Sequence, residues 1–363
     1  MGRFPLRGAL VLGLWLLFLS ITAQCQAPAS FVFGDSLVDG GNNNYIFSLS
    51  KADQPANGVD FPGGRPTGRF CNGRTIPDII GESFGIPYAP PYLAPTTHGA
   101  AILRGVNYAS GGGGIVDETG RIFIGRLSLS KQLLYFQNTT RELKSMLGED
   151  AARQYLAKSI FSVTIGANDY LNNYLLPVPL TGDSFLTPRA FQDKLITNFR
   201  QQLTTLYNSG ARKIIVAGVG PIGCIPYQLT LNLRRDGSCV SSANKLALNY
   251  NTALRDLILE LNSKLPGSMF SYANAYDVVW DIITNKKNYG FETSDLACCG
   301  IGGPYKGVLP CGPNVPVCNE RSKFFFWDPY HPSDAANAIV AKRFVDGDER
   351  DIFPRNVRQL IEM

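Results

Sequence analysis

The chain has 363 residues, 45% of them apolar and 17% charged, with a formal net charge of +5. That balance suits a folded protein with a sizeable core and excludes a disordered chain. Two of the positive charges, Arg3 and Arg7, fall in a leader, and the rest is too weakly and too diffusely basic for a nucleic-acid binder.

The leader is the first element. Arg3 and Arg7 precede an apolar run from Ala9 to Ile21, with the small residue Ala23 where cleavage fits. The run is shorter than the ~18 residues of a membrane span, so it reads as a secretory signal peptide over 1–23 and predicts an exported, soluble mature chain over 24–363. The first buried strand, "SFVFG" (30–34), then runs straight into Gly-Asp-Ser, placing Ser36 at an abrupt strand end before a Gly/Asn-rich loop. Asp35, as a sequence neighbour of Ser36, reads as an acceptor that braces this loop.

"GESFG" (81–85) spells the G-x-S-x-G elbow around Ser83. That motif needs a strand before it and a helix after it. Here "PDII" before it looks helical and "IPYAPPYL" after it cannot be a helix, so Ser83 is set aside. The second strand, "GVNYA" (105–109), runs into "SGGGG" (110–114). "SLSK" (128–131) matches S-x-x-K without the companion motifs of that enzyme class. Asn138-Thr139-Thr140 is an N-x-S/T acceptor and predicts an exposed, glycosylated position.

The third strand, "SIFSVTIG" (159–166), runs into "GANDY", which places Asn168 just beyond its end. Phe191, Leu195, Phe199, Leu203 and Leu206 mark one helix face. Ala243, Leu246, Ala247, Tyr250, Leu254, Leu257, Ile258 and Leu261 mark another. Between these helices lies a fourth strand, "RKIIVAGV" (212–219), followed by "GVGPIG". This spells a dinucleotide fingerprint, but Pro221 and Pro226 interrupt the helix that must follow, so it reads as a proline-fixed turn. A fifth strand is "SMFSYA" (268–273).

Strands alternating with helices predict one α/β domain with a mainly parallel five-stranded sheet covered on both faces. Ligands bind such sheets beyond the carboxyl ends of the strands, the rim that would hold Ser36, the glycine run and Asn168. In "FWDPYHPSDAA" (326–336), Asp328 and His331 stand three apart in a proline-restricted turn that lets both side chains point the same way. A carboxylate there fixes the imidazole tautomer, which makes His331 a general base for Ser36. The only other histidine, His98, has no near carboxylate and reads as a loop residue.

Eight cysteines in an exported chain, with no C-x-x-C pair and two histidines in all, read as disulfides rather than a zinc site. Cys224 and Cys239 bracket a polar, Arg-rich loop and are expected to pair. Further pairing is expected among Cys298, Cys299, Cys311 and Cys318, with partners left open.

The blocks "FVFGDSLVDGGNNN", "GVNYASGGGGI", "SVTIGANDY", "GVGPIGCIP", the "CC" pair at 298–299 and "FWDPYHPSDAAN" follow one another along nearly the whole mature chain. In this order they resemble the plant-type GDSL esterase/lipase family, within the SGNH hydrolases. The resemblance implies a flavodoxin-like three-layer α/β/α fold and hydrolysis of acyl esters through an acyl-enzyme, without metal or cofactor. It makes Ser36 the nucleophile, Asp328 and His331 its partners, and Asn168 an oxyanion donor. A glycine of the second block is a further donor, and Gly111 and Gly112 both remain candidates. The Ser36 N–H would complete the oxyanion hole. The expected partner is a lipid or small-molecule acyl ester, met outside the cell and in the wall or apoplast for a plant protein. Acyl transfer, acetyl-ester hydrolysis on wall material and non-catalytic binding are alternatives on the same fold. A secreted oxidoreductase would need "GVGPIG" to hold a nucleotide. The segments 40–75 and 170–180 are expected to shape the pocket. Leu175, Leu176, Val178 and Leu180 either wall an acyl chain or pack the loop.

Overall fold

The structure is a computed structural model that describes residues 28–363, so the leader and Cys25 lie outside the described residues. Five parallel strands form where periodicity predicts them: β1 (Ser30–Gly34), β2 (Gly105–Asn107), β3 (Ile160–Thr164), β4 (Lys213–Ala217) and β5 (Met269–Ala273). They are ordered β2-β1-β3-β4-β5. The sheet differs from expectation in having a sixth, antiparallel edge strand, Ile352–Phe353, paired with β5. Two residues are too few to display a period, and Pro354 follows at once, so tertiary pairing rather than pattern makes this strand.

Helices cover both faces. Helices Leu129–Leu147, Pro188–Asn208 and Ser241–Lys264 pack on one another in one layer. Helices Ile76–Ser83, Ala275–Thr284, Asp334–Asp346 and Val357–Ile361 make the other. The predicted stripes are the buried ones: Phe191, Leu195, Phe199, Leu203 and Leu206 on one helix, Ala247, Tyr250, Leu254, Leu257 and Ile258 on another. Aromatic side chains fill the space under β1. Phe31 stacks on Phe161 at 5.1 Å and Phe33 on Tyr108 at 4.9 Å, with Phe136 edge-on to Phe33 at 5.5 Å. Large aromatic burial of this kind holds the strand that carries the Gly-Asp-Ser turn. Asn138 lies half-buried within helix Leu129–Leu147 rather than exposed, and its Nδ2 donates to the Tyr92 hydroxyl across 3.2 Å.

The irregular stretch 40–75 is tied down by a buried ion pair. Arg69 Nε donates to Asp78 Oδ2 at 2.7 Å and Nη2 to Oδ1 at 2.8 Å, with the guanidinium 4.5 Å from the centre of the Phe61 ring. Replacing Arg69 by Ala strands a buried carboxylate and is expected to cost about 3–5 kcal/mol in urea unfolding. The double variant Arg69→Met, Asp78→Leu is expected to recover much of that loss. Equal losses in both would show that packing, not the unpaired charge, sets the cost.

Three disulfides form, Cys224–Cys239, Cys298–Cys318 and Cys299–Cys311. Cys71 is the free, buried cysteine among the described residues. Burial pushes its thiol up to about 12, so it stays protonated. The two bridges from the Cys298-Cys299 pair brace the loop that carries Asp328 and His331. Cys298 N donates to Phe326 O at 3.1 Å and Cys299 N to Trp327 O at 2.7 Å, directly before Asp328. Trp327 is itself anchored, its Nε1 donating to Asn57 Oδ1 at 2.8 Å.

Candidate active site

Ser36 stands one turn past β1, and the turn is made possible by Gly34. A Cβ on Gly34 would sit 2.2 Å from Thr164 O, and its φ of +150° suits glycine. Its peptide groups are held by a side chain from the covering helix: Gly34 N donates to Gln132 Oε1 at 2.9 Å, and Gln132 Nε2 donates to Gly34 O at 2.8 Å. Asp35 Oδ1 accepts from Leu37 N at 3.0 Å, so it does brace the loop.

Across the rim, Asp328 and His331 close a tight turn. Asp328 Oδ1 accepts from Tyr330 N and His331 N, both at 2.8 Å, and Trp327 N donates to His331 O at 2.8 Å. The carboxylate thus sits under the imidazole, with His331 Nδ1 2.7 Å from Asp328 Oδ2. A proton on Nδ1 leaves Nε2 as an acceptor, and Ser36 Oγ lies 2.8 Å from it. The loop that carries His331 is fastened to the 70–75 segment: Arg74 ion-pairs with Asp334 at 2.9 Å, and Asn337 Nδ2 donates to Arg74 O at 2.8 Å. Phe70 lies against the imidazole, ring centres 5.2 Å apart. A hydroxyl, an imidazole and a carboxylate in this order can activate the hydroxyl as a nucleophile.

The glycine run is shaped by Asp39, which the sequence reading did not single out. This buried carboxylate accepts from Gly41 N at 2.7 Å, Asn42 N at 2.8 Å and, through Oδ2, Gly111 N at 3.0 Å. Asn42 and Asn43 extend the same tie: Asn42 Nδ2 donates to Asn107 O and Ala109 O, and Asn43 Nδ2 to Gly111 O. The Gly-Asn-rich tail of the first block is therefore the clamp of the second. It separates the two glycine candidates. The Gly111 N–H is taken by Asp39, whereas among the described residues no acceptor is recorded for the Gly112 N–H, and Gly112 has a φ of +83°. Asp169 does for the end of this loop what Asp39 does for its start, accepting from Ile115 N, Val116 N and Thr119 Oγ1. Beside it, Asn168 Nδ2 donates to Gly113 O at 3.0 Å, and Asn168 Oδ1 accepts from Asn172 Nδ2 at 2.6 Å.

The GDSL-like Lipase/Acylhydrolase family model matches residues 31–344. The chain belongs to that family. Among its relatives in Arabidopsis thaliana, GDSL esterase/lipase At2g23540 is 54% identical over 92% of this chain and 88% of its own length. GDSL esterase/lipase At3g50400 is 52% identical over 94% and 92%, and GDSL esterase/lipase 7 is 44% identical over 94% and 93%. Membership of this family makes the chain a carboxylic ester hydrolase acting on small-molecule esters.

Other motifs of the sequence fall elsewhere. Ser83 ends a helix, exposed, its Oγ donating to Ile79 O at 3.0 Å. Ser128 caps helix Leu129–Leu147. In "GVGPIG", Val219 N and Gly223 N donate to the side chains of Asn251 and Asn244, so two of the turn's N–H groups are already spent. His98 is exposed in a loop. A narrow cleft of about 10 Å³ adjoins Ser36 and is lined by Leu37, Phe70, Cys71, Thr75, Pro332 and Asn337 with His331. Leu175, Leu176, Val178 and Leu180 do not line it; Leu175 packs on the core while Val178 and Leu180 are exposed. A wider groove of about 780 Å³, between helices Pro188–Asn208 and Ser241–Lys264, shares no residue with this cleft. Among the described residues no helix is long and apolar enough to cross a membrane, and no cluster of side chains is suited to a metal ion.

Burial pushes the Asp35 carboxyl up to about 7, only partly offset by the Leu37 N–H and the nearby His331, and Asp169 and Asp39 add like charge. Its Oδ2 is buried and has no partner. A pKa raised on folding contributes stability that is full below the unfolded value of 3.8 and is lost as pH rises through about 7. Asp35→Asn keeps an acceptor for Leu37 N and removes the buried charge. The variant is therefore expected to melt higher than the wild type at about pH 8, with the advantage shrinking towards about pH 4. A variant destabilised most at alkaline pH would show that the ionised carboxylate is needed by the fold.

Proposed function

We propose that the mature chain, residues 24–363 acting as one domain, is an exported serine esterase that cleaves acyl esters through an acyl-enzyme on Ser36. The observation that carries this reading is the unbroken relay from Ser36 Oγ to His331 Nε2 at 2.8 Å and from His331 Nδ1 to Asp328 at 2.7 Å. His331 takes the Ser36 proton as Oγ attacks the ester carbonyl carbon. The tetrahedral oxyanion is received by the N–H groups of Ser36 and Gly112 and by Asn168 Nδ2; Gly112 is chosen over Gly111 because the Gly111 N–H is already bonded to Asp39. His331 then gives its proton to the departing alcohol oxygen as the carbon–oxygen bond breaks. Water repeats the sequence on the acyl-enzyme, its proton passing to His331 and back to Ser36 Oγ as the acid leaves. These steps draw on no metal or cofactor. Export is supported by the charged and apolar pattern of the leader and by three disulfides.

The test is hydrolysis of a panel of model esters, from acetyl to long acyl, by the wild-type chain and by Ser36→Ala. Turnover of some part of the panel by the wild type alone supports the reading. No turnover by either, with a folded chain, favours a binding protein on the same fold.

A further inference from the structure

A side-chain amide is nearly symmetric in shape, so which end is oxygen and which is nitrogen is decided by its partners. Asn168 has two partners inside the protein, and the carbonyl among them fixes its orientation. Gly113 O can only accept, and it takes Asn168 Nδ2 at 3.0 Å. With Asn168 Nδ2 turned to that carbonyl, Asn168 Oδ1 faces Asn172, whose own amide then presents Nδ2 to it at 2.6 Å. One N–H of Asn168 is thereby spent on Gly113 and the other is left to point elsewhere. Asn172 is placed for this by a break in its own turn. Its φ and ψ of −115° and 19° leave the helical region, and its carbonyl accepts from Gly120 N at 3.3 Å, which ties it to the loop after the glycine run. Its neighbour Asn173 is spent differently, on Asp183 and Thr181, inside the 173–184 loop.

We infer that Asn172 is a positioning residue for ester hydrolysis: by donating to Asn168 Oδ1 it keeps the free Asn168 N–H turned towards the oxyanion that forms on the substrate. The inference rests on the assignment of Asn168 as an oxyanion donor. Without the donor at 172, the Gly113 carbonyl alone holds the Asn168 amide, which is then held less tightly and aims its free N–H at the oxyanion for less of the time. Such a misaimed donor acts on the transition state and not on ground-state binding.

The experiment is a double-mutant cycle with a melting curve for every variant. Asn172→Ala is expected to lower kcat roughly 10-fold or more with KM little changed and the melting temperature near wild type. Asn172→Asp, which offers Asn168 Oδ1 an acceptor instead of a donor, is expected to lose more than Asn172→Ala at about pH 8. In an Asn168→Ala background, adding Asn172→Ala is expected to cost less than about two-fold, because there is no amide left to orient. A full-strength loss in both backgrounds, or wild-type kcat in Asn172→Ala or Asn172→Asp, overturns the inference and leaves the esterase reading standing. If Asn168→Ala itself turns over normally while Ser36→Ala is dead, the oxyanion assignment falls and Asn172 falls with it. Activity retained by Ser36→Ala would instead remove the esterase mechanism on which both depend.

Discussion

Ser36→Ala is expected to abolish ester hydrolysis while melting close to the wild-type temperature. The hydroxyl is the group placed 2.8 Å from His331 Nε2, and the side chain is only partly buried at a strand end, so its loss opens no core cavity. When nucleophile, base and carboxylate act as a unit, removing the nucleophile costs about as much as removing all three, on the order of 10⁶-fold in kcat. Whatever turnover survives comes from the oxyanion donors and from binding. Ser83→Ala is the control. Ser83 bonds a carbonyl of its own helix and has no imidazole beside it, so that variant should keep nearly all activity. Substantial turnover by the Ser36 variant, with contaminating esterase excluded by a mock purification, would sink the mechanism.

The second large effect is expected from Asp328→Asn, roughly 10³–10⁴-fold in kcat. Asparagine retains an oxygen for the Tyr330 and His331 backbone N–H groups, so the turn that carries His331 should persist. The nearer of the two atoms facing His331 Nδ1, at 2.7 Å, however, becomes a donor, while the retained oxygen at 2.8 Å is already shared by those two N–H groups. That favours the tautomer with the proton on Nε2, which then cannot accept from Ser36. The loss should fall on kcat with a modest change in melting temperature. A fall of less than about ten-fold would mean that another group orients His331.

How much of this was legible beforehand differs from residue to residue, for a physical reason in each case. The five parallel strands and the two long buried helix stripes were readable because period and burial are local properties of the chain. The Asp328–His331 pair was readable because three residues and two prolines confine it to one turn. Asp39 was not. Its meaning depends on Gly111, 72 residues away, whose N–H it accepts. Nor was Gln132, whose polar side chain in a helix pattern gives no sign that it reaches the Gly34 backbone 98 positions back. Asn172 carried a weak signal, four residues after Asn168 in "GANDYLNNY", the spacing of one helical turn.

The sequence by itself determined the alternation of strands and helices, the placing of Ser36, the glycine run and Asn168 at strand ends, and the pairing of Asp328 with His331, because each follows from neighbours within a few residues. Only the tertiary structure decided the rest. It set Ser36 against His331 across 295 positions, divided the last four cysteines into Cys298–Cys318 and Cys299–Cys311, added the Ile352–Phe353 edge, and left Gly112 rather than Gly111 with a free N–H. The physical reason is common to all four. Which hydrogen-bonding group or thiol is free, and which is spent, depends on partners brought close by packing, and no local pattern of residues carries that information.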